Sequence, residues 1–422
     1  MNTCHIKEIT GKKNYIYSGI TGALIEKTPY VNGFINGDID DCELDYLLNK
    51  KTNITTSVNN KPIIKSIAIF TTIDCNLRCK YCYQKDMELG EQKKSNEYLD
   101  RILSFIQSSI TSGHIKNHLS IQFFGGEPLV NFSFIEKATN YLNQLQQQCD
   151  LSVSYGLTTN GTIFTKRIIR FLTANRFSIT VSVDGNKKNH DANRIFSNGS
   201  GTFDSIRNNL RKLPAKIKPT ARMTLTLPDS GTQDFVSLFD LGFYSVSYDV
   251  NFDKLVTMAD AELYLESFSK DIFNFYKKRV IQGKYVRIIN IFNLLRKIDN
   301  MSVQQVPCGA GYNYFSFYID GNLYSCHRLV DNVKHKFSSK NGHISKGEVV
   351  TFSEEVQQTK DKLRCINCWA HSLCGGACYY DSATNINKLN CYYVKSQCQQ
   401  ALDLYIEMKE LYGPEWTPEV LY

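Results

Sequence analysis

The sequence predicts an α/β fold: six parallel strands alternating with helices, preceded by a small N-terminal segment and followed by a Cys-rich C-terminal region. Three observations carry this reading. Short β-branched or apolar runs recur between residues 66 and 250, each separated from the next by a stretch long enough for a crossover helix, which parallel pairing requires. Most of the fourteen cysteines fall in two clusters, 75–82 and 308–398. The 422 residues are 42% hydrophobic and 21% charged, with 25 Tyr and 24 Phe; that is ample for a folded core and excludes wholesale disorder.

Taken in order, the first 64 residues are strand-like (NYIYSGITGALIEK) and then helix-like (DDCELDYLLNKK), ending in the polar stretch KKTNITTSVNNKP. SIAIFTT (66–72) reads as a buried strand, and apolar residues at helical spacing follow over 94–112. LSIQFF (119–124), SVSYGLTT (152–159), SITVSVD (178–184), ARMTLTL (221–227) and YSVSYDV (244–250) are the remaining strands. The helices between them fall near 134–148, 164–175, 203–213 and 231–240, and long helical patterns continue to about 298. The chain thus divides into residues 1–64, 65–300 and 301–422.

The N-terminus lacks an apolar signal region, and no apolar run approaches ~18 residues, so a cytoplasmic protein with no membrane partner is expected. The net charge of +8 is concentrated in residues 161–235, which carry 13 Lys or Arg against 5 Asp or Glu. These charges alternate with apolar residues at helical spacing (KRIIRF, RNNLRKL), the pattern of solvated helical faces, and no nucleic-acid motif accompanies them. In a reducing compartment a disulfide framework is not expected, and clustered thiols point to metal.

Directly after the first strand stands DCNLRCKYCYQ, with Cys75, Cys79 and Cys82 spaced C-x3-C-x2-C. Three thiolates in one loop can hold three corners of a cubane iron–sulfur cluster and leave the fourth iron open to a ligand. A zinc site is the alternative, but structural zinc wants four closed ligands. The following strands end in GGEP (Gly125, Gly126, Glu127, Pro128), TTNG (Thr158 to Gly161) and SVDG (Ser182 to Gly185), the last followed by NHDANR with Arg194. Each is an ordinary turn by itself. Together they occupy the C-terminal ends of successive strands, where parallel α/β barrels place their active sites.

With these motifs the sequence resembles the radical S-adenosylmethionine (radical SAM) enzymes. The resemblance implies a partial (βα)6 radical SAM barrel whose [4Fe–4S] cluster is held by Cys75, Cys79 and Cys82, with S-adenosylmethionine on the open iron. It further implies that Tyr81, Gly125, Gly126, Glu127, Pro128, Asn160, Ser182 and Arg194 contact the cofactor. Reductive cleavage of S-adenosylmethionine then yields methionine and a 5′-deoxyadenosyl radical.

The C-terminal pattern, Cys308 in CGAG, Cys326 in DGNLYSC, then Cys365, Cys368, Cys374 and Cys378 as C-x2-C-x5-C-x3-C, and Cys391, resembles the SPASM extension, which binds two auxiliary iron–sulfur clusters. The resemblance implies one [4Fe–4S] cluster on Cys365, Cys368, Cys374 and Cys391, and another on Cys308, Cys326 and Cys378. The fourth position of the latter is open, substrate-filled, or taken by Cys398, which is otherwise a packed thiol of the last helix. Cys4, Cys42 and Cys149 have no patterned neighbours and read as structural.

Relatives with this extension act on peptides or protein side chains. Ribosomal-peptide (RiPP) maturases install thioether or carbon–carbon crosslinks in precursor peptides, and anaerobic sulfatase-maturating enzymes oxidise Cys or Ser to formylglycine. The latter carry a catalytic Asp after the second SPASM cysteine, where this chain has His327. The resemblance therefore implies an oxidoreductase that modifies a precursor peptide and takes electrons from a donor such as flavodoxin or ferredoxin, with sulfatase maturation as the alternative. His327 is a base or a packed histidine. The N-terminal segment is either a partial leader-recognition module, adding a peptide strand to its sheet, or a cap on the barrel. An iron–sulfur electron carrier would explain the cysteines but not the strand-end motifs.

Overall fold

The computed structural model describes residues 4–49, 63–84, 95–284, 286–304, 306–330, 336–337, 364–376 and 387–421, together with 354, 357–358, 360–361, 378 and 380. The polar stretch expected over 50–62 and the beginning of the helix expected from 94 lie outside the described residues. The N-terminal segment is an antiparallel sheet of β1 (Ile6–Thr10), β2 (Asn14–Ser18) and β3 (Leu24–Glu26), followed by helices α1 (Pro29–Asn36) and α2 (Cys42–Asn49). The start of α1 is fixed by Thr28, whose hydroxyl accepts from the Val31 N–H, and by Pro29 in the first turn. Its end is fixed by Gly37, at φ +87°. Ile16, Val31, Phe34 and Leu48 close a small core of their own.

The barrel expectation holds in its main lines. Strands β4 (Ser66–Phe70), β5 (His118–Phe124), β6 (Ser152–Thr159), β7 (Ser178–Ser182), β8 (Thr220–Thr226) and β9 (Ser245–Asn251) pair in parallel in that order. They are linked by α3 (Ser95–Thr111), α4 (Phe132–Gln148), α5 (Lys166–Ala174), α6 (Lys187–Asn193), α7 (Phe203–Leu210) and α8 (Thr232–Asp240). Side chains alternate along β5, with Leu119, Ile121 and Phe123 fully buried against the helices, as a sheet covered by helices on one face requires. After α9 (Ala261–Ile281), the two-residue β10 (Arg287–Ile288) adds in parallel to β9 and leads into α10 (Ile289–Asp299).

The other edge of the sheet extends beyond the six strands that the sequence predicts. Strand β11 (Tyr314–Phe317) pairs in parallel with β4. The antiparallel β12 (Leu323–Tyr324) and β13 (Lys336–Phe337) continue the same sheet outward. NYFSFYI is apolar enough to be a strand, but nothing local to it specifies that its partner lies almost 250 residues upstream.

After the short α11 (His371–Cys374), the last helix α12 (Asn387–Tyr412) lies against α9. Between them the Tyr248 hydroxyl donates to Gln397 Oε1 at 2.7 Å, and Gln397 Nε2 donates to Ser269 Oγ at 2.7 Å. This buried chain ties β9, α12 and α9 with each polar group partnered. The N-terminal sheet docks on the Cys-rich segment: Tyr17 and Ser372 share a buried hydrogen bond of 2.6 Å, and the Ser372 N–H donates to the Gly19 carbonyl. A Cβ on Gly19 would collide with the Trp369 carbonyl oxygen, so this approach needs glycine.

Phe317 carries the junction of barrel and C-terminal region. It is fully buried, meets Phe105 edge-to-face at 5.2 Å, and its carbonyl accepts from the Tyr98 hydroxyl. Phe317→Ala is expected to cost about 3–5 kcal/mol, seen as a lowered denaturation midpoint, whereas Val420→Ala, at an exposed position, should leave it within about 0.5 kcal/mol.

Candidate active site

The strand ends meet the Cys loop through close backbone contact. The Gly126 N–H donates to the Thr72 carbonyl and the Glu127 N–H to the Asp74 carbonyl. Gly125 stands at φ +146°, and a Cβ there would strike the Thr72 carbonyl oxygen; one on Gly126 would strike those of Ile73 and Asp74. Both glycines are therefore required by the approach of the loop leading to Cys75. Glu127 turns inward. Its carboxylate accepts from Thr159 Oγ1 and the Asn160 N–H, both at 2.7 Å, and from the Leu129 N–H at 3.1 Å. Full burial nevertheless pushes its pKa up to about 7, with those three donors opposing the rise. Pro128 opens a single 3-10 turn, and its carbonyl accepts from Thr71 Oγ1. The GGEP segment thus locks the ends of β4, β5 and β6 together.

Asn160, at the end of β6, reaches the Cys loop. Its side-chain amide donates to Asn76 Oδ1 at 2.8 Å and lies 3.9 Å from Cys75 Sγ. The loop pairs with the segment after α6: Leu77 bridges Phe196, the Arg78 N–H donates to the Ile195 carbonyl, and the Lys80 N–H to the Asn193 carbonyl. Cys75, Cys79 and Cys82 are all half-buried. Burial pushes the Cys79 thiol up to about 11, against the pull of the Arg194 charge.

The same pairing brings Arg194 and Tyr81 onto Asp184. Arg194 Nε and Nη2 donate to the two Asp184 oxygens at 2.9 and 3.1 Å, the bidentate fork that guanidinium and carboxylate favour. The Tyr81 hydroxyl donates to Asp184 Oδ2, the Thr224 N–H donates to Oδ1, and the Arg194 guanidinium lies 5.3 Å from the Tyr81 ring centre. Burial acts to lower the Arg194 pKa, but the Asp184 charge outweighs it and the guanidinium stays protonated. Behind the pair, the Asp184 N–H donates to His190 Nδ1, and His190 Nε2 shares a 2.7 Å hydrogen bond with Thr202 Oγ1. Burial holds His190 down to about 4, so it is a neutral spacer. Ser182 is half-buried at the end of β7, in register with Arg222. Arg222 donates to Ser247 Oγ and pairs with Asp249. Asp184 is the functional residue that the motif alone does not single out: SVDG points to Ser182 by the resemblance, whereas the carboxylate two residues on is the one bonded to Arg194 and Tyr81.

The C-terminal thiols sort into two neighbourhoods. Burial lifts Cys326 to about 12, and its thiol neighbours are Cys308 and Cys378. Burial lifts Cys374 to about 11, and its neighbours are Cys391, Cys365 and Cys368. Cys398 is fully buried, with Cys374 and Cys368 as its thiol neighbours and Lys297 as its nearby cation. His327 is packed, its ring 4.9 Å from that of Phe124 and its Nδ1 in a 2.7 Å hydrogen bond with the Tyr314 hydroxyl. Its carbonyl accepts from the Tyr83 hydroxyl at 3.4 Å, joining the Cys loop to the C-terminal region. Among the described residues no three His, Cys, Asp or Glu side chains converge on one metal ion. A cubane, which places each thiolate on a different iron, does not require that. Three half-buried thiols in one loop suit such a cluster.

A parallel α/β barrel that gathers thiols, a buried arginine and close-packed glycines at the C-terminal ends of its strands is built as a cofactor enzyme. Residues 69–242 match the radical SAM superfamily, and this part of the chain is a radical SAM domain; its cofactors are a [4Fe–4S] cluster and S-adenosylmethionine. The chain is 25% identical to a cysteine-type anaerobic sulfatase-maturating enzyme of Clostridium novyi over 336 residues, which cover 74% of this chain and 87% of that one. Among solved structures it is similar to AdoMet-bound anSMEcpe (TM-score 0.68, 22% identity, 82% of this chain and 99% of the other). It is also similar to Streptococcus suis SuiB bound to its precursor peptide SuiA (TM-score 0.50, 13% identity, 90% and 95%). Both structures share its fold.

Two outcomes test the site. Asp184→Asn leaves the buried Arg194 charge without its counter-ion and is expected to destabilise the chain by about 3–5 kcal/mol and to weaken S-adenosylmethionine binding at least about tenfold, measured by melting and by equilibrium dialysis. For Glu127, the folded pKa of about 7 exceeds the ordinary 4.5, so the folded state holds this proton more tightly than the unfolded chain. Its contribution therefore lowers stability as pH rises from 4.5 to 7, by about 3 kcal/mol in all. Glu127→Gln should flatten that decline in denaturation midpoints taken across this range.

Proposed function

We propose that this enzyme modifies a ribosomally made precursor peptide, installing a thioether or carbon–carbon crosslink. Cys75, Cys79 and Cys82 would hold the barrel cluster. Cys365, Cys368, Cys374 and Cys391 would hold one auxiliary cluster, and Cys308, Cys326 and Cys378 the other. Bound there, the barrel cluster with S-adenosylmethionine would supply carbon-radical chemistry at an unactivated C–H bond, and the auxiliary clusters would supply the electron-accepting capacity an oxidative outcome needs. Asn160 orients the Cys75 arm of the loop, and Asp184 fixes Arg194 and Tyr81 against the Cys79–Cys82 arm. Glu127 keeps the strand ends dry and aligned. Flavodoxin or ferredoxin is the donor class this chemistry calls for.

The observation that carries crosslinking over sulfatase maturation is His327. Where the resemblance to sulfatase maturases calls for a catalytic carboxylate, this chain has an imidazole, half-buried and bonded to Tyr314. The second reading, formylglycine formation, is supported by the likeness to the Clostridium novyi enzyme over most of its length. The N-terminal sheet supports a capping role through Tyr17 and Gly19 on the Trp369–Ser372 segment.

The deciding experiment incubates the anaerobically reconstituted enzyme with a candidate precursor peptide or with a sulfatase-type Cys peptide, and reads both by mass spectrometry. Loss of two hydrogens with all sulfur retained supports the crosslink, the thiol being blocked in a thioether and free in a carbon–carbon product; replacement of the Cys sulfur by oxygen supports the alternative. Cys75→Ala, Cys79→Ala and Cys82→Ala should each abolish 5′-deoxyadenosine formation while the auxiliary iron stays. Cys398→Ala, in a chain already lacking the three barrel cysteines, should leave iron content and the paramagnetic signal unchanged if the fully buried Cys398 is a packed thiol of the last helix; a lost or altered signal would make it a ligand.

A further inference from the structure

The barrel carries a second concave site at the opposite ends of its strands. A cavity of about 790 Å³ opens where β7, β8, β9 and β10 begin, at Ser178, Thr220, Ser245 and Arg287. Strands of five to seven residues at ~3.3 Å per residue put it about 20 Å from the Cys loop. Four cations line it, Arg176, Lys216, Lys218 and Arg287, and no carboxylate does. Among the described residues Arg176, Lys216 and Lys218 form no ion pair. Tyr244 forms an aromatic shelf within this ring of charge. It is 41% exposed, Lys218 Nζ lies 4.7 Å from its ring centre, and Arg287 lies 5.7 Å from the same ring and donates to its hydroxyl at 3.4 Å.

Four like charges around one cavity repel one another, and the fold supplies no counter-charge among the lining residues. A bound anion relieves that repulsion, and fork-shaped guanidinium groups suit phosphate oxygens. An exposed ring beside two cations that can hold phosphates suits a planar group carried on the same molecule. The volume falls within the range of small-molecule sites. We propose that this cavity binds a phosphorylated small molecule of nucleotide size, its phosphates on Arg176, Lys216, Lys218 and Arg287 and its planar group on Tyr244. The site is independent of the reaction at the other end of the strands. Because β10 and α10 border it, an occupant ties the short edge strand to the rest of the sheet.

The test uses the full-length, anaerobically reconstituted enzyme with S-adenosylmethionine saturating, so that the cofactor site is filled, and titrates ATP, inorganic pyrophosphate and adenosine by calorimetry. ATP should bind and raise the melting temperature, pyrophosphate should bind more weakly, and adenosine should not register. The double variant Lys218→Glu, Arg287→Glu should weaken ATP and pyrophosphate by about tenfold or more. Tyr244→Ala should weaken ATP about tenfold and leave pyrophosphate within about twofold. Both variants should still cleave S-adenosylmethionine, which shows that they fold. No ATP binding at millimolar concentration would overturn the proposal, as would ATP binding that survives the charge reversal. Equal ATP affinity with and without the Tyr244 ring would overturn the nucleotide assignment.

Discussion

One buried carboxylate holds together the Cys79–Cys82 side of the barrel's C-terminal face. Asp184 pairs with Arg194, accepts from Tyr81 and is held by the Thr224 N–H, so four segments distant in sequence share one group. A buried ion pair contributes little net stability once the loss of hydration is counted. What it contributes is position: leaving either charge alone is costly, so the Cys loop, the end of β7, the segment after α6 and β8 settle in the arrangement that satisfies both. Arg194 has a further electrostatic part. It is the cation that acts on Cys79, and thiolates brought together in a half-buried loop need positive charge nearby.

The other half of the site is positioned by backbone contact rather than charge. Gly125 and Gly126 let the main chain of β5 run directly against residues 72–74, and Glu127 then fastens the end of β6 from below. The two mechanisms are complementary. Steric closeness sets where the Cys75 arm of the loop leaves the sheet, and the ion pair sets where the Cys79–Cys82 arm returns to it. Asn160 touches both the loop and the strand-end turn.

Most of this architecture was readable from residue patterns. The six strands are where β-branched alternation put them, because each is buried by its own apolar residues. The site's location was readable too, since turn motifs cluster at strand ends. The identity of the organising residue was not. In SVDG, Ser182 and Asp184 are both polar and two apart, and the sequence does not say which one a buried arginine will meet. Glu127 reads as a cofactor contact, and its three bonds to Thr159, Asn160 and Leu129 add a tie between strands that the motif does not announce. Cys398 shares a helix with Cys391, and that helix carries it toward Cys374 and Cys368, a destination that helical spacing alone does not specify.

The parallel addition of β11 to β4 has a consequence for how the protein comes into being. The first strand of the barrel has one neighbour, β5, within the next few dozen residues and another, β11, almost 250 residues further along the chain. At ribosomal rates of ~5–20 residues per second, β4 waits on the order of ten seconds or more with an apolar edge unpaired, while Ile67 and Ile69 still lack Phe315 and Phe317 alongside them. The nascent barrel is therefore an open template during its synthesis, and holding that edge until the Cys-rich region arrives is a task for chaperones in the cell.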